Sequence, residues 1–326
     1  VIDTPAQIKL VEEIFKNTNL CKVKVLASLT KGLEGNSLSP MAELKQAGAK
    51  ALTNCLNPIK DPLVLRRAME YATGQNITIF YQPQNNYLAN NGCVHEGKIS
   101  SKLGLPGIPS AAESVAVAEA ILLSKLTNSR LHLCRVSCLE SLMLIQNAQS
   151  EGLSVTSDVA IHQLFFDESS IDNFNSDFHV MPPFRSNEDL VALHQAVNKE
   201  TITAICSDHQ PHNEDAKQAP FSDTQPGISS IELLLPLLME LVELKIIDMS
   251  EAIAKVTSNP SEILGIDAGV IAKGLPADLC IIKKEAWLFD EAKILSAGKN
   301  NPFLGRKFNY LVDKTICDGK IVYEKR

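Results

Sequence analysis

The sequence predicts an α/β fold: a TIM-type (β/α)8 barrel followed by a small β module of the sandwich type. Six apolar, strand-like segments alternate with helix-like segments, which is the pattern of a parallel sheet covered by helices. No G-x-G-x-x-G follows any of these strands, which argues against a doubly wound dinucleotide-binding sheet. Because six strands fall short of eight, we expect the N-terminal strand or strands to be missing from the chain as given.

Composition narrows the functional classes. The chain has 326 residues, of which 45% are hydrophobic, and its net charge is -7, so we expect no basic surface for nucleic acid. No apolar run approaches the roughly 20 residues of a membrane span. The eight cysteines include no CxxC pair, which predicts free thiols in a reducing cytosol and therefore a cytoplasmic protein.

The first half of the chain alternates helix and strand. Pro5 opens a helix over 6–16, and Pro62 opens one that Gly74 ends, since proline suits the first helical turn. Residues 82–105 are predicted as a long polar loop with at most one helical turn. A further helix covers 41–47, and the predicted strands cover 22–29, 49–55 and 77–81.

The second half continues the alternation. The pair Ser186 and Asp189 resembles an acidic variant of the capping box and places a helix over 186–197. The apolar run 228–244 predicts a long helix. Further helices cover 110–126, 138–148 and 250–256, and the predicted strands cover 130–136, 153–159 and 201–207.

The character of the sequence changes after Gly265. Short alternating segments replace the helices, and Asp318-Gly319 between two of them is a hairpin signal. Two or three strands bury too little surface to be stable alone, so this module must pack on the barrel. We therefore predict a barrel domain over 1–264 and a β module over 265–326.

Candidate functional residues cluster where the strand 201–207 ends. Asp208, His209 and His212 follow it within five residues, at the position where barrel enzymes present their chemistry. A carboxylate can hold a metal or move a proton, and an imidazole can do either. The alternative is a polar loop whose three side chains only bond to their neighbours.

The chain resembles the dihydroorotases of the amidohydrolase superfamily. The segment Ser207-Asp208-His209-Gln210-Pro211-His212 is similar to the family's Asp-His-Ala-Pro-His, and Met181-Pro182-Pro183-Phe184-Arg185 is similar to its Asn-Pro-Pro-Leu-Arg. Each motif is weak alone, but their order along the whole chain is specific. The other matches are Gln225-Pro226-Gly227-Ile228, Ser258-Asn259-Pro260-Ser261 with Ile263-Leu264-Gly265, Gly274-Leu275-Pro276-Ala277-Asp278-Leu279 and Asn301-Pro302-Phe303.

The resemblance implies a metal site, from which this chain departs. The family's His-x-His motif is absent from the sequence given. The family's Asp or carboxylated Lys after the strand 49–55 falls at Asn54-Cys55, and its two histidines fall at Gln82 and Arg135. Zinc prefers imidazole, thiolate and carboxylate ligands, whereas arginine is a fixed cation. We therefore expect no metal at these degenerate positions, with Asp208 the only ligand-type residue kept.

The resemblance also assigns roles to single residues. Asp208 corresponds to the family's ligand and proton-shuttling base and would be vestigial here, and Arg135 could pair with its orphaned carboxylate. His212 corresponds to a substrate contact, and Arg185 and Arg135 are further candidates for binding a substrate.

Other candidates carry weaker signals. Asp158 and His162 have i, i+4 spacing, but they lie near a strand end, so a metal site there is a minor alternative. Cys55 has no neighbouring histidine to activate it as a nucleophile. We expect the remaining histidines to be surface or satisfied core residues: His95, His132, His179 and His194.

Three functions follow. The first is a dihydroorotase-like protein of de novo pyrimidine biosynthesis without activity or cofactor, which, as the resemblance implies, assembles with aspartate transcarbamoylase. The second is an active zinc-dependent dihydroorotase that interconverts dihydroorotate and N-carbamoyl-aspartate. The third is a metal-free protein that binds a small carboxylated ligand through Arg135, His212 and Arg185. We also expect a homo-oligomer.

Overall fold

The computed structural model describes residues 1–325, in which helices and strands alternate along the chain. All six predicted barrel strands are present, although each is shorter than predicted. The strands are β1 (Leu26–Ser28), β2 (Ala51–Thr53), β3 (Thr78–Tyr81), β4 (Val94–His95), β5 (Gly107–Ile108), β6 (Leu131–Leu133), β7 (Val155–Ala160), β8 (Ala204–Cys206), β9 (Leu279–Leu288), β10 (Lys307–Cys317) and β11 (Lys320–Glu324).

Helices follow most of these strands and cover the central sheet. The helices are α1 (Pro5–Thr18), α2 (Met41–Gln46), α3 (Pro62–Gly74), α4 (Asn86–Ala89), α5 (Lys98–Leu103), α6 (Ala111–Thr127), α7 (Leu139–Ser150), α8 (Asn187–Val197), α9 (Leu234–Glu243), α10 (Met249–Ala254) and α11 (Ser258–Leu264). Among residues 1–325, no helix combines the length and the apolar character needed to cross a bilayer.

The central sheet is parallel and its strand order is β1-β2-β3-β6-β7-β8. Each strand pairs with the next strand of the sheet along the chain, as in a barrel, and the order never reverses as it must in a doubly wound sheet. The predicted barrel-type fold is therefore confirmed. The carboxyl ends of the parallel strands meet at one edge of the sheet, which brings the residues after β2, β3, β6 and β8 together.

Local signals explain several helix boundaries. Ser186 and Asp189 form the predicted capping box at the start of α8, with the Ser186 hydroxyl accepting from the Asp189 N–H at 3.2 Å. The predicted helix 228–244 begins only at Leu234. The backbone N–H groups of Ser229 and Ser230 bond instead to Asn300 and His209. Because these donors serve tertiary contacts, the helix starts later than its apolar pattern suggests.

The segment 82–105 contains more structure than predicted. It holds α4, α5 and the strand β4, which pairs in parallel with β5. Asn85 caps α4 by accepting from the N–H groups of Tyr87 and Leu88 at 3.1 Å. Gly107 allows the close approach of this pair, since a Cβ there would lie 2.7 Å from the Glu96 Cα. The prediction of a loop was wrong because this pairing is decided by contacts outside the local sequence.

The C-terminal module is one antiparallel sheet within residues 1–325, in the order β11-β10-β9. Asp318 and Gly319 form the predicted hairpin turn with φ angles of 48° and 77°, which is the left-handed region that such turns require. The module packs on α9, where Arg306 pairs with Glu240, and its buried Phe308 belongs to the barrel's own core. The predicted packing of module on barrel is thus confirmed. The domain boundary at 264/265 stays a prediction.

We expect Phe308→Ala to lower the free energy of unfolding by about 3–5 kcal/mol, because the ring is buried between the barrel and the module. Urea unfolding measures this change. Ile321→Ala on the same sheet is the control, since Ile321 is 56% exposed. Equal losses in the two variants would contradict the described packing.

Candidate functional site

The candidate site lies at the carboxyl ends of the central strands. Asn54 follows β2, Gln82 follows β3, Arg135 follows β6 and Asp208 follows β8. Asn54 and Gln82 are buried, and Arg135 and Asp208 are nearly so. The sequence therefore predicted correctly that the degenerate positions lie at strand ends.

An ion pair occupies the centre of this site. Arg135 Nη1 donates to Asp208 Oδ1 at 2.7 Å, and Arg135 Nε donates to Gln82 Oε1 at 2.7 Å. Burial by itself would lower the pKa of Arg135, but the Asp208 carboxylate outweighs it and the pKa lies above its ordinary value. The guanidinium is thus a permanent cation, and the pairing expected from the sequence is present.

The backbone of both partners is unusual. Arg135 has a φ of 52° and Asp208 a φ of 45°, a region that costs a non-glycine residue roughly 1 kcal/mol. Side-chain contacts hold both turns, because the Arg135 N–H donates to Asp158 Oδ1 at 2.8 Å and Gln210 Nε2 donates to Asp208 Oδ1 at 3.0 Å. Strain of this kind is concentrated at functional sites and persists only where surrounding contacts support it.

Asp158 links the ion pair to the interior of the barrel. Its Oδ2 lies 2.8 Å from His132 Nε2, and His132 Nδ1 lies 2.8 Å from Thr156 Oγ1. Burial favours the neutral acid, but the hydrogen bond to His132 and the Arg135 N–H outweigh it and lower the pKa of Asp158. Asp158 therefore bonds to His132, and no hydrogen bond joins it to His162 in the described part of the chain.

The other histidines have structural environments. His162 is 1% exposed, its Nδ1 has no hydrogen-bond partner among residues 1–325, and burial lowers its pKa to about 4. Burial also lowers the pKa of His179 to about 4, and its Nδ1 bonds to Thr224 Oγ1 at 2.7 Å. His194 Nε2 bonds to the Leu164 carbonyl. The expectation of surface or satisfied core histidines thus holds for the buried, hydrogen-bonded His132 and His179, and His194 is half-buried and hydrogen-bonded.

The two histidines after β8 are tied to the following loop. His209 Nδ1 accepts from the N–H groups of Ser230 and Ile231 at 3.1 and 3.2 Å. His212 Nε2 lies 2.9 Å from the Pro226 carbonyl. Because a carbonyl only accepts, His212 Nε2 carries the proton and only its Nδ1 is left for a ligand.

Arg185 belongs to a separate buried network. Its Nε donates to Ser137 Oγ at 3.0 Å, its Nη1 donates to the Ile108 carbonyl at 2.8 Å, and its Nη2 lies 3.7 Å from Glu113 Oε2. Across residues 1–325, no hydrogen bond joins Arg185 to Arg135. The substrate-binding roles of Arg135, Arg185 and His212 remain predictions, and the structure does not link these three residues directly.

The surroundings of Asn54 are not those of a metal ligand, and the surroundings of Cys55 are not those of an activated nucleophile. Asn54 Oδ1 accepts from the Thr30 N–H and hydroxyl, and its Nδ2 donates to the carbonyls of Leu33 and Asn57. These bonds use the whole amide, so Asn54 anchors the loop after β1. Cys55 is exposed, and no hydrogen bond joins its thiol to a base within the described residues.

These strand ends do not fit the zinc centre that the family resemblance implies. Gln82 and Asn54 are neutral amides, and Asp208 is the single carboxylate among the four positions. A guanidinium already lies 2.7 Å from that carboxylate and would repel a dication by several kcal/mol at an effective dielectric constant of about 20. These four side chains form an ion pair and hydrogen bonds, but they do not offer the ligands through which a zinc ion would activate water here.

The contact between His132 and Asp158 was not predicted from the sequence. His132 lies opposite Thr156 on the neighbouring strand, and residues two apart on a strand share a face. The alternation in His132-x-Cys134 was a usable signal, but the pairing of β6 with β7 was needed to see it.

We expect Arg135→Met to lower the free energy of unfolding by about 3 kcal/mol, because it leaves the Asp208 carboxylate unpaired in a buried place. Urea unfolding of the single variants and of Arg135→Met with Asp208→Asn tests the pair, and the double variant should regain at least about 1 kcal/mol. Arg66→Met is the control: its pair with Glu70 is half exposed and contributes about 0.5 kcal/mol or less. If the losses of Arg135→Met and Asp208→Asn simply added in the double variant, the two side chains would not be energetically coupled.

We expect the protein to lose stability as the pH falls from 6.5 to 4. Above pH 6.5 His162 is neutral in both the folded and the unfolded protein. Below pH 6.5 His162 of the unfolded protein gains a proton, whereas His162 of the folded protein gains one only near pH 4. His162→Gln should remove roughly 3 kcal/mol of this acid-dependent loss. Urea unfolding at pH 7.5 and pH 4.5 measures it, with the half-buried His194→Gln as control. An unchanged pH dependence in His162→Gln would refute the assignment.

Comparisons with known proteins agree with the fold and with the family that the sequence resembles. Residues 66–322 match the model of the Amidohydrolase family. A dihydroorotase-like protein of Pseudomonas aeruginosa is 38% identical over 99% of this chain and 77% of its own length. A dihydroorotase of Geotalea daltonii is 36% identical over 94% of this chain and 72% of its own length.

A solved structure supports the same architecture. The L-hydantoinase of Arthrobacter aurescens superposes on 99% of this chain and 74% of its own with a TM-score of 0.86, at 20% sequence identity. At that identity the similarity concerns the fold alone. Together, the family match and the curated relatives show that the chain belongs to the amidohydrolase family, in the group of dihydroorotases and dihydroorotase-like proteins.

Proposed function

We propose that this chain is a dihydroorotase-like protein of de novo pyrimidine biosynthesis that does not hydrolyse dihydroorotate and acts as a structural partner of aspartate transcarbamoylase. The observation that carries the proposal is the ion pair of Arg135 with Asp208, 2.7 Å apart in the centre of the site. The carboxylate that would serve as proton shuttle is bonded to a permanent cation.

The chemistry of a cyclic amide supports the absence of turnover. Its hydrolysis at neutral pH needs an activated water, which a metal ion provides by lowering the water's pKa. Asp208 Oδ1 already accepts from Arg135 Nη1 and Gln210 Nε2, so this oxygen is not free to receive a proton from such a water. Gln82 Oε1, at another of the degenerate positions, accepts from the same guanidinium.

The partner is proposed from the family relationship. Among the similar proteins, the one from Pseudomonas aeruginosa is named dihydroorotase-like rather than dihydroorotase. Because the chemistry of a site is separable from the fold that carries it, a chain without the family's metal ligands can still use its surface to bind a partner. A homo-oligomer stays a prediction as well.

An active dihydroorotase is the second candidate. It is favoured by one observation, the retention of Asp208 directly after β8 with His212 four residues further on. A metal-free ligand-binding protein is less well supported, since the Arg135 guanidinium it would use is already paired. Turnover of dihydroorotate separates the second candidate from the other two.

We expect the purified full-length protein, supplied with zinc, to show no dihydroorotate turnover above the buffer rate, and to co-elute with aspartate transcarbamoylase from the same organism in size-exclusion chromatography. The Geotalea daltonii dihydroorotase is the positive control for turnover. Turnover that Asp208→Asn abolishes would establish the active candidate. Separate elution of the two proteins at micromolar concentration would refute the partnership.

We expect the double variant Arg135→His with Gln82→His to remain without turnover. Two imidazoles would return, but the Asn54 amide stays engaged with Thr30 and Leu33, so the family's carboxylate or carboxylated lysine is still absent at that position. The same assay with added zinc measures it, and Arg135→Met with Gln82→Met is the matched control. Dihydroorotate turnover by the His variant alone would show that two residues suffice to restore the site.

A further inference from the structure

A second group of metal-binding atoms lies inside the barrel, next to the Arg135–Asp208 pair but separate from it. One ring nitrogen of His132, the Cys134 thiol and one carboxylate oxygen of Asp158 all lie within 4.8 Å of one another. We propose that these three side chains, with the Cys206 thiol as the fourth ligand, bind one zinc-class divalent cation. The proposal does not rest on the proposed function.

The fold explains why these side chains meet. His132 and Cys134 are two residues apart at the end of β6, so they share the face of the strand that points into the barrel. Asp158 lies on the neighbouring β7, where it pairs with Ala204, and Cys206 follows on β8. The ligand atoms of β6 and β7 thus lie together, and the Cys206 thiol of β8 lies beside Asp158.

The donor set suits zinc. Imidazole, thiolate and carboxylate are the ligands of four-coordinate zinc sites, and the thiolate disfavours magnesium and calcium. Ligand atoms around a tetrahedral zinc ion are roughly 3.5 Å apart, so the separations among His132, Cys134 and Asp158 need to contract by up to about 1.3 Å. Thiolate and carboxylate also offset the charge of the ion beside the Arg135–Asp208 pair.

The supporting hydrogen bonds of such a site are already formed. His132 Nδ1 bonds to Thr156 Oγ1 at 2.8 Å, which leaves Nε2 directed at Asp158. Asp158 Oδ1 accepts from the Arg135 N–H at 2.8 Å, which orients the carboxylate. Bonds of this kind fix the ring and the carboxylate of metal ligands. A bound ion would replace the direct contact between His132 Nε2 and Asp158 Oδ2.

The two thiols complete the arrangement. Cys206 Sγ lies 3.3 Å from Asp158 Oδ1, and the Cys134 thiol makes only a weak contact of 3.9 Å with the His132 carbonyl within the described chain. On binding, each sulfur–hydrogen bond is replaced by a sulfur–metal bond, and the proton leaves to solvent. Both cysteines are partly exposed, which gives an ion a path to the site.

A second cluster of similar composition serves as an internal control. Asp278, Cys317 and Asp318 also bring ligand atoms within 4.8 Å of one another. The Lys22 ammonium lies 2.6 Å from both of these carboxylates and already offsets part of their charge. Cysteine and aspartate therefore meet in both clusters, but a lysine ammonium bonds to the carboxylates in only one of them.

Cobalt(II) titration of the chelator-treated full-length protein tests the proposal, because tetrahedral cobalt bound to thiolate has a near-ultraviolet charge-transfer band. We expect one ion per chain, displaced by zinc. Cys134→Ser should weaken binding by at least about 100-fold, more than the loss of an outer partner. Cys206→Ser should keep the site but reduce the band, and Cys317→Ser should leave it unchanged.

Two results would overturn the proposal: no thiolate band in the wild-type protein, or a band that Cys317→Ser abolishes and Cys134→Ser does not. If Cys134→Ser fails to fold, X-ray absorption of the zinc-loaded wild-type chain decides. Sulfur at about 2.3 Å together with nitrogen or oxygen at about 2.0–2.2 Å supports the site, and a shell of nitrogen and oxygen alone refutes it. No readout depends on turnover, so failure here leaves the proposed function untouched.

Discussion

The centre of the barrel depends on one ion pair between two strand ends. Arg135 and Asp208 are largely removed from water, and a buried charge without its partner costs about 3–5 kcal/mol. Neither residue can therefore change alone without loss of stability. The pair also accounts for the left-handed backbone at both positions, since the turns place the two side chains within 2.7 Å of each other.

The same pair sets the charge and the hydrogen bonding at these strand ends. A guanidinium lies where the family resemblance places an imidazole ligand, and it bonds to the remaining carboxylate and to Gln82. Next to this pair, His132, Cys134 and Asp158 form a separate cluster with softer donors. Arg135 contributes to both, because its side chain holds Asp208 and its N–H orients Asp158.

The fold is preserved where the site is not. Residues 66–322 match the amidohydrolase family, and the L-hydantoinase fold superposes on nearly the whole chain. A barrel is stabilised by its packed interior and outer helices, whereas its chemistry depends on a few residues at strand ends. Those few residues can therefore be exchanged without changing the architecture.

The sequence by itself determined the strand pattern, the hairpin at Asp318-Gly319 and the position of Arg135 near Asp208. The first two follow from local periodicity and turn chemistry, which act over a few residues, and the third was expected from the family resemblance. Only the tertiary structure decided the late start of α9, the pairing of β4 with β5 and the contact of His132 with Asp158. Each of these joins segments that are distant in sequence, and long-range contacts override local preference when they satisfy buried polar groups.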